Sequence, residues 1–225
     1  MSKKQVALVS ITPDPELNIV RIARASSNRT DKDENPEGLI NYLINNRHWS
    51  PFEHSYITME IKTSRAIGTQ LLRHRSFTFQ EFSQRYAKVV DIEDIELRIQ
   101  AKSNRQSSEE IFDDNLEAIS YNEDWTNKEY TGSANSLVDS HIRNGKNLYN
   151  ALLEAGVAKE CARMILPLAT STTIYMTGNV RSWLHFLELR DDPHAQLEAQ
   201  IIARQIKNIL IEQLPLISKA RGYKM

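Results

Sequence analysis

Between Arg73 and Tyr86 the chain reads RHRSFTFQEFSQRY, which sets Arg73, His74, Arg75 and Arg85 among four aromatic residues with neither Gly nor Pro between them. Guanidinium groups stay charged at any accessible pH and carry five N–H donors each, so with the imidazole they form a cluster suited to a phosphate or a carboxylate. On composition alone the same residues also describe a solvated basic face above a few core phenylalanines.

Other stretches offer further chemistry. In HWSPFEH, His48, Glu53 and His54 lie close enough to invite a metal, but Pro51 breaks any helix there and the spacing matches no zincin helix, so a polar loop with His48 and Ser50 as ligand-facing donors is the better reading. Trp49 and Phe52 are expected to anchor the core. Cys161 has the cation Arg163 two residues on, which invites a nucleophile, yet its neighbours Ala158, Ala162 and Met164 suggest a small buried hydrophobe. No GxSxG elbow surrounds Ser83, which suits it to hold an anion or a base edge rather than to attack. From Asn179 on, Val180, Trp183, Leu184 and Leu187 mark one apolar helix face, and Arg190, three residues after Leu187, falls on that side. A buried guanidinium needs an anionic or strongly polar partner, either a ligand or a carboxylate such as Asp191 or Glu188. Arg163, set against Met164-Ile165-Leu166, raises the same question. Asn179, Arg181 and His185 stand at the start and along one side of the helix, a competent place for a phosphate.

These residues need elements to position them. Gln5 to Ile11 reads as a strand, followed by a helix from Glu16 to about Ala25 and a loop from Ser26 to Asn35. Asn35-Pro36 opens a second helix with Leu39, Ile40, Leu43 and Ile44 as its stripe. Alternation of Ile57, Met59 and Ile61 with Thr58, Glu60 and Lys62 predicts a half-buried strand over Ser55 to Thr63. Ser64 then caps a helix running through Ile67, Leu71 and Leu72 into Arg73, with Gln70, Arg73 and His74 on one face. Val89 to Ile99 is expected as a strand, and the polar stretch Gln100 to Tyr130 as surface helix and loop. Leu137, His141, Leu148 and Leu152 recur at helical spacing in a helix over Ala134 to Ala155 that ends at Gly156. A short helix covers Cys161 to Met164, a strand Thr170 to Thr177, a helix the residues from Asn179 to Arg190, and a last long helix starts at Pro193 with Leu197, Ile201, Ile206 and Ile209 buried. Strands interleaved with helices predict an α/β or α+β fold, a single domain over 1–225 with a central sheet flanked by helices.

Composition narrows the function classes. A net charge of -1 argues against a general nucleic-acid coat, so any basic site is local. The one cysteine excludes an intramolecular disulfide and suits a cytoplasmic protein, and the opening apolar run, stopped by Pro13, is too short for a signal-peptide core.

The pattern Arg-His-Arg, seven residues, Ser83, one residue, Arg85 resembles the signature of flavin-dependent thymidylate synthases. HxSPFEH (48–54), Arg163 before Ile165-Leu166-Pro167, and NVRSWLHFLELR (179–190) followed by HAQ (194–196) resemble the same family. Residues 100–130 depart from it and read as a variable insertion. The resemblance implies an α/β homotetramer with active sites between subunits. It implies reductive methylation of dUMP to dTMP, with 5,10-methylenetetrahydrofolate as carbon donor, FAD reduced by NADPH as hydride carrier, and no protein nucleophile. It assigns FAD to Ser50, Arg73, His74, Arg75, Glu81, Asn179, Val180, Arg181 and His185. It assigns dUMP to Gln70, Leu71, Leu72, Arg73, Glu81, Phe82, Ser83, Gln84, Arg85, Arg163 and Arg190, with Arg190 activating the uracil ring and His48 near folate or flavin. Two alternatives stand beside it: a single-stranded nucleic-acid-binding module stacking bases on Phe77, Phe79, Phe82 and Tyr86, and an FAD-dependent reductase without methyl transfer.

Overall fold

The structure, a computed structural model, describes residues 5–26, 35–89, 91–102, 107–121 and 127–224, the side chains of 117–121 and 127–131 excepted. The loop expected between Ser26 and Asn35 lies almost wholly outside the described residues. The chain mixes helix and sheet and groups into two compact units, one made of Met1–Thr63, Ile67–Phe82 and Thr172–Met225, the other of Ser64–Ala66 and Ser83–Ser171.

In the first unit β1 (Val6–Ile11), β2 (Tyr56–Ser64), β3 (Thr78–Glu81) and β8 (Ser171–Asn179) form a four-stranded sheet in the order β1-β2-β8-β3, with β1 antiparallel to β2 and β3 antiparallel to β8. The alternation read from β2 is real: Ile57, Met59 and Ile61 are buried against the helices, while Tyr56 and Lys62 are exposed on the other face. Helices α1 (Pro15–Arg24) and α2 (Pro36–Asn45) each begin on a proline, and the Asn35 side chain accepts the Gly38 N–H at 2.8 Å as the expected cap. Helix α3 (Arg65–Leu71) ends before Arg73, so Gln70, Arg73 and His74 do not share a helical face; Arg73 and His74 lie in the turn that follows. Helix α6 (Val180–Arg190) is capped by Asn179, whose side chain accepts the Ser182 N–H at 2.9 Å. The last long helix, α7 (Leu197–Gln213), begins four residues later than Pro193, and it buries Ala199, Ile202, Ala203, Ile206 and Leu210, leaving Leu197, Ile201 and Ile209 only partly covered. A short helix α8 (Pro215–Ala220) follows, and the Ile217 N–H at its start donates to the buried Glu16 carboxylate at 2.7 Å, where burial raises the Glu16 pKa.

Phe77 packs its edge on Trp183 at 4.7 Å between ring centroids, and Phe186 and His74 complete an aromatic cluster at the base of α6. Gly178 makes room for it, since a Cβ there would collide with the Phe77 ring.

The second unit contains two-stranded ladders, β4 (Arg98–Gln100) with β5 (Ser108–Ile111) and β6 (Asn115–Tyr121) with β7 (Asn127–Ser133), and helices α4 (Ala134–Glu154) and α5 (Lys159–Ala162). Several expectations change here. Among its described residues, the stretch from Val89 to Ile99 shows only a bridge at Ile92 to Thr170 and the start of β4, not a continuous strand. The stretch from Gln100 to Tyr130 holds strands rather than helix among its described residues. In α4 the buried residues are Ala134 and Tyr149, while His141 and Leu148 are exposed. The helix ends as expected at Gly156, where φ is +86°. Cys161 is exposed, not buried, because α5 is a single turn with one buried residue, Ala162.

Candidate active site

Helix α6 organises the first unit's site. At its N-terminal end a cavity of about 540 Å³ is lined by Asn179, Arg181, Ser182, Leu184, His185 and Glu188 together with Trp49, Glu53 and Ser76. Arg181 reaches back to the Glu53 carboxylate in an ion pair, which leaves Glu53 as a charge partner in the cavity rather than a metal ligand. His185 Nδ1 lies 3.4 Å from Glu188, whose other oxygen is paired with Arg221. Trp49 sits edge-on to Phe52 at 5.6 Å, so one side of it is core and the other is cavity wall. His48, against Tyr42, is not part of the lining.

At the other end of α6 the half-buried Arg190 donates from Nε to His74 Nε2 at 2.9 Å and from Nη2 to the Gln70 carbonyl at 3.1 Å. No carboxylate pairs with it among the described residues. The acidic neighbours proposed as partners are engaged elsewhere: Asp191 holds Arg204 at 3.0 Å and Lys207 at 2.5 Å, and Glu188 holds Arg221. Burial first, and then the neighbouring Arg73 cation, lower the Arg190 pKa from its ordinary value. A guanidinium still keeps its proton there. Burial, with the positive charges of Arg190 and His185, pushes His74 down to about 4, so its imidazole is neutral at pH 7 and free to accept. Arg73 and Arg75 are exposed and have no ion-pair partner among the described residues. The Gln70 side chain donates to Gln196 at 2.6 Å, which ties HAQ to the same end of α6.

The remaining first-unit residues divide by exposure. Leu71 and Val180 have fully buried side chains, and the Val180 N–H is spent on the Ser55 carbonyl at 2.8 Å, so they pack beneath the site. Leu72 and Phe82 are exposed, Ser50 opens a 3₁₀ turn over Ser50–His54, and Glu81 accepts the Thr172 hydroxyl at 2.9 Å.

In the second unit Ser83, Gln84 and Arg85 begin a tight turn in which the Ser83 carbonyl accepts the Tyr86 and Ala87 N–H groups. Arg85 lies 3.5 Å from the Glu160 carboxylate, and Arg163 Nε donates to the Glu160 carbonyl at 3.4 Å, so the sequence-distant arginines meet at one residue. Gln84 is buried with its amide nitrogen lacking a partner among the described residues, an orphaned donor of the kind a ligand or water satisfies. Sequence reasoning missed Glu53 as the partner of Arg181, and Ser76, Ser182, Leu184 and Glu188 as cavity wall. The helical period could have placed Ser182, Leu184 and Glu188 beside Arg181 and His185.

Comparison with known proteins identifies the family. The family model for the thymidylate synthase complementing protein matches residues 7–216. A probable flavin-dependent thymidylate synthase of Paramecium bursaria Chlorella virus 1 is 44% identical over 184 residues, 81% of this chain and 79% of the viral protein. Flavin-dependent thymidylate synthases of Synechocystis and Thermosipho africanus are 39% and 36% identical, covering 98% and 87% of this chain and 95% and 81% of their own lengths. The single-strand-binding and reductase alternatives draw no support from these relatives. With the Arg-His-Arg turn, the Asn179-capped helix and the uncompensated Arg190 carried on a matching sequence, the chain belongs to the family of flavin-dependent thymidylate synthases.

Proposed function

We propose that the protein converts dUMP to dTMP by reductive methylation, with 5,10-methylenetetrahydrofolate as carbon donor and NADPH as the source of electrons. The observation that carries this reading is Arg190, a half-buried cation held by two neutral acceptors and facing no carboxylate among the described residues. Uracil C5 becomes nucleophilic only as negative charge develops on the ring, and a preorganised, uncompensated cation lowers the cost of that charge. Arg190, with Arg73 close enough to depress its pKa, supplies such a field. No nucleophilic side chain is then required, and Cys161 is left outside the chemistry.

The carbon unit arrives at the oxidation level of formaldehyde and ends as methyl, so a hydride must be added. FAD, when bound, would supply it. The first-unit cavity fits such a group: Arg181 and the N-terminal turn of α6 suit a diphosphate, and Trp49 and Leu184 offer apolar wall. Asn179, Arg181 and His185 would hold it there, joined by Ser50, Arg73, His74, Arg75 and Glu81. Val180 would support this set from the core, and His48 would contribute at its edge.

For dUMP, Gln70, Arg73, Glu81, Phe82 and Arg190 would act from the first unit, over the packed Leu71 and beside Leu72. In the second unit, Ser83, Gln84, Arg85 and Arg163 form a set of their own that suits a phosphate, with two guanidiniums and the orphaned Gln84 amide as donors, and the family resemblance assigns this set to dUMP as well. We read both units as one synthase domain, assembled as a cytoplasmic homotetramer whose subunits share active sites, with residues 100–130 as a variable insertion. Among the described residues no helix is long and apolar enough to cross a membrane.

Absorption spectroscopy tests the reading. The protein reconstituted with FAD should show flavin bands that NADPH bleaches without air and that dUMP perturbs. A folded protein that takes up no FAD would overturn it.

A further inference from the structure

We infer that His74 is a positioning residue for the reaction, acting through Arg190: its neutral imidazole fixes the guanidinium plane and leaves the Arg190 charge unquenched. The inference rests on the synthase reading above and adds to it a role distinct from holding the cofactor.

The argument starts from what holds Arg190. An arginine side chain has four rotatable bonds, and a single hydrogen bond leaves its plane free to turn. Here two bonds from different nitrogens, Nε to His74 Nε2 at 2.9 Å and Nη2 to the Gln70 carbonyl at 3.1 Å, define the plane and leave Nη1 undirected by either acceptor. The usual device for fixing a guanidinium is a carboxylate, which would also cancel its charge. An imidazole lone pair and a carbonyl fix it without adding negative charge, so the full field remains for the substrate.

His74 is itself held for this task. Its ring stands edge-on to Phe77 and against Phe186 at 5.0 Å, so it cannot turn away freely. The charged and titratable groups that act on it are Arg190 and His185, both on α6, and they oppose a second positive charge there. With Nε2 accepting, the ring proton sits on Nδ1. Protonation at Nε2 would put a donor against the Arg190 Nε–H and release the guanidinium.

Turnover, flavin affinity and acid sensitivity of variants test this together. His74→Ala is expected to lower kcat about tenfold to a hundredfold, the loss of one hydrogen bond to a charged group, at saturating FAD. His74→Gln, whose amide oxygen can accept without titrating, should recover much of that loss and keep its kcat as pH falls toward 4, where the wild type should lose turnover as His74 protonates. In an Arg190→Lys background, already slow, His74→Ala should cost about twofold or less, because the Nε–H donor is gone. Equal losses from His74→Ala in both backgrounds, or full recovery by added FAD, would overturn the positioning role and leave the synthase reading intact. Unimpaired Arg190→Lys would instead remove the role assigned to Arg190, and this inference with it.

Discussion

Helix α6 carries one arginine near each end, and the two are treated in opposite ways. Arg181 stands at the N-terminal end, where the helix dipole disfavours a cation, and Glu53 offsets it with a carboxylate. Arg190 stands at the C-terminal end, where the dipole favours a cation, and it has no carboxylate partner among the described residues. A compensated cation can hold a ligand anion by exchanging partners, which gives affinity with little net field. An uncompensated one imposes its field on whatever lies before it. The contrast fits a cofactor-holding end and a reacting end on one rigid element.

Breaking the contrast at the reacting end should have the largest effect. Arg190→Glu should reduce dTMP formation about a thousandfold while flavin absorbance stays, as measured by product chromatography beside a spectrum of the same sample. At the compensated end, Arg181→Gln should weaken FAD binding about tenfold and change kcat at saturating FAD by less than about threefold, measured by flavin titration. Asn179→Ala removes the cap that starts α6 and should cost about 1 kcal/mol in urea unfolding. Glu53→Gln frees Arg181 and should strengthen FAD binding by roughly threefold at low salt, a gain that fades as salt is added.

The smallest effect concerns pH. Because His74 is pushed down to about 4 in the folded state from its ordinary value of 6.5, the unfolded chain takes up its proton first as pH falls. The stability tied to neutral His74 is therefore full above about 6.5, declines toward pH 4 and falls no further below it. The His74→Gln variant should lack that part of the acid slope in urea unfolding, and the ring is partly exposed, which keeps the difference small.

Much of this was legible where local pattern and burial coincide. The alternation through Ile57, Met59 and Ile61 gave β2, Asn35 caps its helix as expected, and Asn179, expected at a helix start, proves to cap that helix too. Arg190 could be placed on the inward side from its distance to Leu187, but His74 lies 116 residues away and no local signal names it. Glu53 and Arg181 are separated by 128 residues, and only the fold joins them. The ladders between Arg98 and Ser133 were missed for another reason. A two-stranded ribbon open to solvent needs no apolar face: β5 is exposed along its length, so polar composition there carries no period to read. Ile95 and Ile99, in the stretch expected as a strand, are exposed as well. Cys161 was misplaced because its apolar neighbours form one short turn, too little helix to define an inner face.

The most direct test is product formation by the purified protein, stripped of flavin and then supplied with dUMP, 5,10-methylenetetrahydrofolate and NADPH, with and without FAD. Formation of dTMP that requires FAD and persists in Cys161→Ser is the predicted result. A folded, FAD-loaded protein that makes no dTMP, or one whose dTMP formation depends on Cys161, would contradict the account.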